Sequence, residues 1–527
     1  MTRRDLLWSA AASGLASLPS VSAAASSSSE EKTWLFWDLW KLDMLQGAEL
    51  RQGKPQLQPD ASYEDPLLGS LSSWPAVIRS SDSGGWRMYY SAEWRPLTLL
   101  CAESEDGIRW RPMTRPAGEF ASDPGGAKKI APHHLYTLPS GSGGSVYADP
   151  VADDGYPCKI FAIQSGEITH ARALNDENHQ FHEYAKKAQP QRYFSDHLTV
   201  VSKDGVRWKA DYDAIWNKPH WHPEPPVYAY YNSRRAKHFM TSRPGHGDRR
   251  VVILDSNDAR RWSEPELLFQ PDPTDEPLIQ FYGMPVIPYE GAFVGLLWVF
   301  HPAQFDVPDK YNYSLGRIDC QLAYSYDGVR FNRGFRQPLI GLEEQGKYGG
   351  GHFQPSSLTV VGDEIRIYST AARHTHGMGS RFDGRREGLA AITMHTLRRD
   401  GFTYLQSKGG WAGFVSKPWV LRGDSLTMNA AAPQGEIRYQ VTTLESEPIP
   451  GLTFDDCVPL REGDSTAWRL RWKERSLGDV VGKPIRLAVR FLHGKIYSFR
   501  GDYHFIDAQD WHLLDGGKPI DPRWFDY

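Results

Sequence analysis

Four carboxylates, Asp38, Glu64, Asp149 and Glu224, sit among aromatic residues and prolines in short extended stretches. Acids converging from separate stretches suit sugar chemistry, one protonating a leaving oxygen while another attacks or activates water. Glu224 lies in Trp221-His222-Pro223-Glu224-Pro225-Pro226, where the prolines stiffen the backbone and fix the direction of the acid. Each acid also has a structural alternative. Asp149-Pro150 can begin a turn, Glu224 can be held in a salt bridge, Asp38 can bond backbone amides, and Glu64-Asp65 can be solvated loop.

Histidine offers rival chemistry. There are 18, and His220/His222 and His374/His376 are spaced i, i+2, which puts both rings on one face of a strand. Neither pair has a third ligand at a recognisable spacing, so no metal and no cofactor is expected. A central His could act as an acid, or with Tyr282 take a proton from a uronic acid. Arg234-Arg235, Arg243 and Arg249-Arg250 could then meet a uronate carboxylate, or else be solvated sheet edges.

The elements that must position these groups announce themselves by repetition. Ser104-Glu105-Asp106-Gly107-Ile108-Arg109-Trp110 returns as Ser202 to Trp208, Ser256 to Trp262 and Ser325 to Phe331. A degraded fifth copy runs from Arg398 to Tyr404. Asp-Gly makes a tight turn and the aromatic restarts a strand, so each copy reads as the outer hairpin of one sheet. Five copies predict an all-β chain, a five-bladed β-propeller over residues 34–408. Alternating strands without this punctuation then predict a C-terminal antiparallel β-sandwich with a tail, 409–527.

In a propeller the first strand of each blade lines the channel, so its polar residues are the functional candidates. The blade openings place Glu64, Asp149, Glu224, Trp221, His222, Tyr282 and His352 around one axis, with Asp38 joining if its strand lies near it. Trp221, His222, Tyr282 and His352 are the expected substrate contacts.

Arg3-Arg4 before an apolar run and a small-residue site reads as a twin-arginine-type signal over 1–25, with a serine-rich linker over 26–33. A general-secretory signal is the alternative, and either predicts a periplasmic or extracellular protein. A formal charge of −4 with no basic block argues against nucleic acid. No later stretch is long and apolar enough to span a membrane. The 19 Trp and 13% aromatic content fit a sheet protein and suit stacking on sugars, so a carbohydrate is the expected partner. The four cysteines show no CxxC or zinc spacing.

The repeat with its trailing β-domain resembles the furanosidase-type glycoside hydrolases of families 32 and 43, and most nearly proteins similar to the family 32 N-terminal domain. Stretches carrying the resemblance are Arg249-Arg250-Val251-Val252, Tyr282-Gly283-Met284-Pro285, Leu397 to Phe402 and Gly463 to Trp472. It implies three acids on three blades. Glu224 would be the general acid, Asp149 (in Ala-Asp-Pro) the orienting acid, and Asp38 or Glu64 the base or nucleophile. No Arg precedes Asp149 directly and no Glu-Cys pair occurs, which departs from that pattern. A lyase acting on a uronic-acid glycan and a non-catalytic glycan-binding propeller are the alternatives.

Overall fold

The computed structural model describes residues 31–65, 73–80, 84–94, 96–114, 131–179, 181–187, 189, 195–213, 223–244, 248–302, 315–376 and 388–518. The expected signal, most of the linker, and Trp221 and His222 lie outside them. The fold is all-β, with short helices at Glu167–Asn175, His182–Ala185 and Ala508–Asp515 among the described residues.

Strands follow one another in antiparallel meanders. The first comprises Ala76–Arg79, Trp86–Trp94 and Leu97–Ser104, with Arg111–Pro112 and His134–Leu138 sharing its outer edge. In the second, Gly141–Gly143 and Tyr147–Ala148 together form the first strand, followed by Cys158–Ser165, Ser195–Ser202 and Trp208–Asp211. Pro223–Asn232, Lys237–Pro244, Val251–Ser256 and Glu266–Phe269 make the third. The fourth opens with Gln280–Gly283 and Val286–Tyr289 and continues through Ala292–Pro302, Gly316–Ser325 and Pro338–Ile340. His352–Val361, Glu364–Ala372 and Ala390–Arg398 form the fifth, whose outermost strand is Gln56–Tyr63 from the start of the chain.

First strands touch from one meander to the next. Ser145 Oγ donates to the Trp74 carbonyl (3.0 Å) and Ser356 Oγ to the Pro75 carbonyl (2.7 Å), while Trp298 Nε1, on the second strand of the fourth meander, reaches the Pro355 carbonyl of the fifth meander's first strand (2.9 Å). Two glycines permit the remaining contacts. A Cβ at Gly144 would stand 2.1 Å from the Val227 carbonyl oxygen, and one at Gly283 2.4 Å from Pro226 Cγ. Only glycine lets the backbone pass that close to its neighbours.

The repeated motif joins the third strand of a meander to its outer edge. In four copies the Asp caps two backbone amides, as Asp106 Oδ1 accepts from Ile108 N (2.8 Å) and Arg109 N (2.9 Å). The Ser hydroxyl closes the turn, Ser104 Oγ accepting from Gly107 N at 2.9 Å. Asp204, Asp258 and Asp327 repeat the double amide bond. In the fifth copy Arg398 replaces the Ser, and buried Asp400 serves as a joint. It accepts hydrogen bonds from the hydroxyls of Tyr289 (2.7 Å) and Ser498 (2.6 Å).

Ser498 belongs to a nine-stranded sheet that begins far from the C-terminus. Lys32–Leu35, Leu42–Gln46 and Ala48–Gln52 pair there with Thr403–Ser407, Ala412–Ser416, Trp419–Thr442, Leu460–Arg469, Pro484–Leu492 and Lys495–Phe505. The boundaries expected at 34 and 409 therefore both fall within one sheet. Trp34 explains the recruitment, since its ring packs on Phe414, Trp419, Phe499 and Phe505 in that sheet's core.

Candidate functional site

The two ends of the meanders are chemically different. One end carries the Asp-Gly turns. At the other, the entrance end, the chain enters each first strand, as at Glu224 opposite Arg243, Gln280 opposite Phe300 and His352 opposite Ala372. The helices Glu167–Asn175 and His182–Ala185 join the second and third strands of the second meander at this same end. Buried Asp196 anchors them through Arg172 and through His179 (2.9 Å).

Asp149 lies at the opposite end from Glu224. It follows Tyr147–Ala148, which pair with Lys159 and Cys158, and Cys158 in turn pairs with Ser202 of an Asp-Gly turn. Its Oδ1 accepts from the amides of Val151 and Ala152 (3.1 Å each) and its Oδ2 from Lys159 Nζ (2.7 Å), both side chains being buried. Burial works against the anion, but the Lys159 cation and these donors hold its carboxyl below the usual range. The geometry is that of a turn-forming ion pair.

Asp38 is also at the turn end. It accepts from the hydroxyls of Tyr324 (3.0 Å) and Tyr326 (3.2 Å), which flank Ser325, and from the amide of Trp40 (3.0 Å). It lies in a bend just after Lys32–Leu35, a strand of the nine-stranded sheet, so it does not join the first-strand residues. His352 is on a first strand but fully buried. Exposed Glu64 is at the entrance end, just beyond Tyr63, and near Tyr348. Its neighbour Asp65 is buried against His133 (2.8 Å) and the hydroxyl of Tyr90.

Glu224 and Tyr282 do come together, through an arginine. A bulge between Glu224 and Tyr228 re-aims the start of the strand, and Glu224 Oε2 meets Arg243 Nη2 at 3.2 Å. Its side chain is 45% exposed while that of Arg243 is 11% exposed, so the acid faces solvent and its partner is rooted in the wall. Arg243 Nε donates to the Pro225 carbonyl (2.8 Å) and its guanidinium lies 4.4 Å from the Tyr282 ring centre. The Tyr282 hydroxyl and His376 Nε2 share a hydrogen bond of 2.8 Å.

Arg249 completes the cluster. Its guanidinium is 5.3 Å from the Tyr282 ring and 4.9 Å from the Phe300 ring, and Nη1 donates to Gln280 Oε1 at 2.8 Å. Burial and then the neighbouring Arg243 cation push Arg249 down to about 10. Beside it, His301 Nε2 contacts Asp319 Oδ2 (3.0 Å), and this bond raises the imidazole above its ordinary value against the opposing effect of burial. The sequence reading missed His301 and Asp319. Their one available sign was a His ending the apolar run Val294–Phe300. Among the described residues no group of three or more His, Cys, Asp or Glu is arranged to hold a metal ion.

Comparison with family models and with curated proteins finds no match. Solved structures align at low similarity. An N-acetylgalactosamine deacetylase from F. plautii is 13% identical, covering 67% of this chain and 96% of that one at a TM-score of 0.40. A xylan β-1,4-xylosidase from Bacillus halodurans is 10% identical, covering 85% and 99% at 0.37. A GH32 β-fructofuranosidase from Bombyx mori is 11% identical, covering 85% and 95% at 0.36. TM-scores this low carry no inference about the chemistry of this chain, which rests on its own residues. No helix among the described residues is long and apolar enough to cross a membrane.

Proposed function

We propose that this protein is an exported, glycoside hydrolase-like enzyme that cleaves a glycosidic bond in an oligo- or polysaccharide. The five meanders with touching first strands support reading the body as a five-bladed β-propeller, to which the nine-stranded sheet is appended. The reaction is assigned to the entrance end. The observation carrying this is Glu224, half-exposed on a first strand, stiffened by prolines and gripped through Oε2 by Arg243.

Glu224 and Glu64, both at this end, are cast as the two reacting carboxyl groups, one protonating the leaving oxygen and the other attacking the sugar or activating water. Asp149 and Asp38 drop out of the reaction because their partners hold them at the other end.

The test is a screen of the protein against polysaccharides, reading released reducing ends. Glu224→Gln should cut turnover by about 100-fold or more, the scale of a lost general acid or base. Unchanged turnover in Glu224→Gln would overturn the assignment.

A further inference from the structure

Glu64 stands where the chain crosses from the fifth meander to the first. The strand Gln56–Tyr63 belongs to the fifth meander, Tyr63 pairing with Ile392, and it ends one residue before Glu64. A sheet sets the height of the residues it pairs, so this strand holds Glu64 from one side only. Asp65, the next residue, is held by the first meander. Its Oδ2 meets His133 Nε2 at 2.8 Å and accepts from the hydroxyl of Tyr90, with the Tyr63 hydroxyl at 3.4 Å. Tyr90 lies on the second strand of that meander, and the His133 carbonyl accepts from the Cys101 amide on the third (3.2 Å).

The two neighbouring carboxyl groups are opposites in exposure. The Asp65 side chain is 1% exposed, whereas Glu64 is open to solvent. Burying a carboxylate is costly unless donors surround it, and here they converge on one oxygen. The Tyr63 and Tyr90 hydroxyls also bond each other at 3.0 Å. Burial above all, with Asp65 adding to it, raises both phenols above their ordinary value, so they keep the protons they donate. The backbone at Glu64 is thus gripped on both sides, by a sheet through Tyr63 and by a buried hydrogen-bond cluster through Asp65.

We propose that Asp65 is a positioning residue for cleavage: by bonding His133 and Tyr90 it fixes where the Glu64 carboxyl group stands at the mouth. This rests on the reading that Glu64 is one of the two reacting carboxyl groups. It adds a second carboxylate that acts through Glu64 and does not touch the sugar.

Steady-state kinetics of Asp65→Asn, Glu64→Gln and the double variant test this, on a polysaccharide that the wild type cleaves. Asp65→Asn keeps the shape of the side chain and removes the charge that the donors surround. Its kcat should fall by about 10- to 100-fold, the scale of a misplaced reacting group, with KM changed by less than about twofold. Added to Glu64→Gln it should cost nothing further, because the group it positions is already gone. Tyr90→Phe deletes one donor and keeps the ring, so it should show the same pattern with a smaller loss. Thermal unfolding checks that each variant folds, and Tyr90→Phe decides alone if Asp65→Asn does not.

An unchanged kcat in Asp65→Asn, with Glu64→Gln slowed, would overturn the inference and leave the cleavage reading standing. The full Asp65→Asn loss repeated on top of Glu64→Gln would do the same, since the residue would then serve the fold alone. Wild-type turnover in Glu64→Gln would overturn the role of Glu64 and the inference with it.

Discussion

Asp149 and Glu224, the two acids the sequence most readily pairs, stand at opposite ends of the meanders. Asp149 is bound to Lys159 at 2.7 Å on the turn end, and Glu224 to Arg243 at 3.2 Å on the entrance end. No single sugar contacts both. Their substitutions should therefore fail differently.

Asp149→Asn is expected to unfold the protein more easily and leave catalysis of the folded fraction intact. It strips the buried Lys159 of its main counter-ion, leaving Asp154 at 3.1 Å. Breaking such a pair from one side costs about 3–5 kcal/mol. Because the carboxyl is depressed in the folded state, its contribution is present above the unfolded value and lost as pH falls through the folded one. The variant should thus show a shallower acid limb in denaturant titrations. A full-strength Tm with lost activity would contradict this.

Lys41→Met should stabilise the protein at neutral pH. Lys41 is buried near the rings of Tyr326 (5.5 Å) and Phe505 (5.4 Å). Burial pushes its amine down to about 7, with Asp38 opposing and Lys32 and Arg234 adding to the fall. The unfolded chain keeps that proton up to about 10.5, so folding carries a cost that is full below pH 7 and fades toward pH 10. Removing the amine should add on the order of 2–4 kcal/mol at pH 6.5 and little at pH 10. Urea midpoints at the two pH values check it, and an equal gain at both would refute it.

His301 should titrate above an ordinary histidine, and Asp319→Asn should bring it back down. The raised value means the pair contributes stability fully below the unfolded value, near 6.5, and loses it as pH rises through the folded one. Imidazole NMR titration of both proteins reads the shift. The stability gap between them should narrow from pH 6 to pH 8.

The repeated turns and the joint should respond separately. Asp204→Ala removes two amide caps and should cost about 1–3 kcal/mol, with faster hydrogen exchange confined to the second meander. Asp400→Ala instead frees Tyr289 and Ser498, so exchange should rise across the contact between the fourth meander and the nine-stranded sheet. Identical exchange maps would mean that Asp400 is only another turn.

How much the sequence determined follows from how local each feature is. The Ser-x-Asp-Gly turn is satisfied by hydrogen bonds within a few residues, so its copies were legible one by one. The prolines around Glu224 likewise stiffen their own backbone. Continuous apolar runs such as Val294–Phe300 need no partner to read as buried strands.

What only the tertiary structure decided is which end of a strand each side chain occupies. Val146 to Pro150 reads as the opening of a strand, yet Gly141–Gly143 had already begun it, and pairing with Cys158–Ser165 left Asp149 at its close. Alternation fixes the face of a residue but not its height along the sheet, which the partner strand sets. The same holds for Trp34, whose sheet is completed by strands hundreds of residues later. It holds also for Tyr282 and His376, separated by 94 residues and joined only when the fourth and fifth meanders pack side by side.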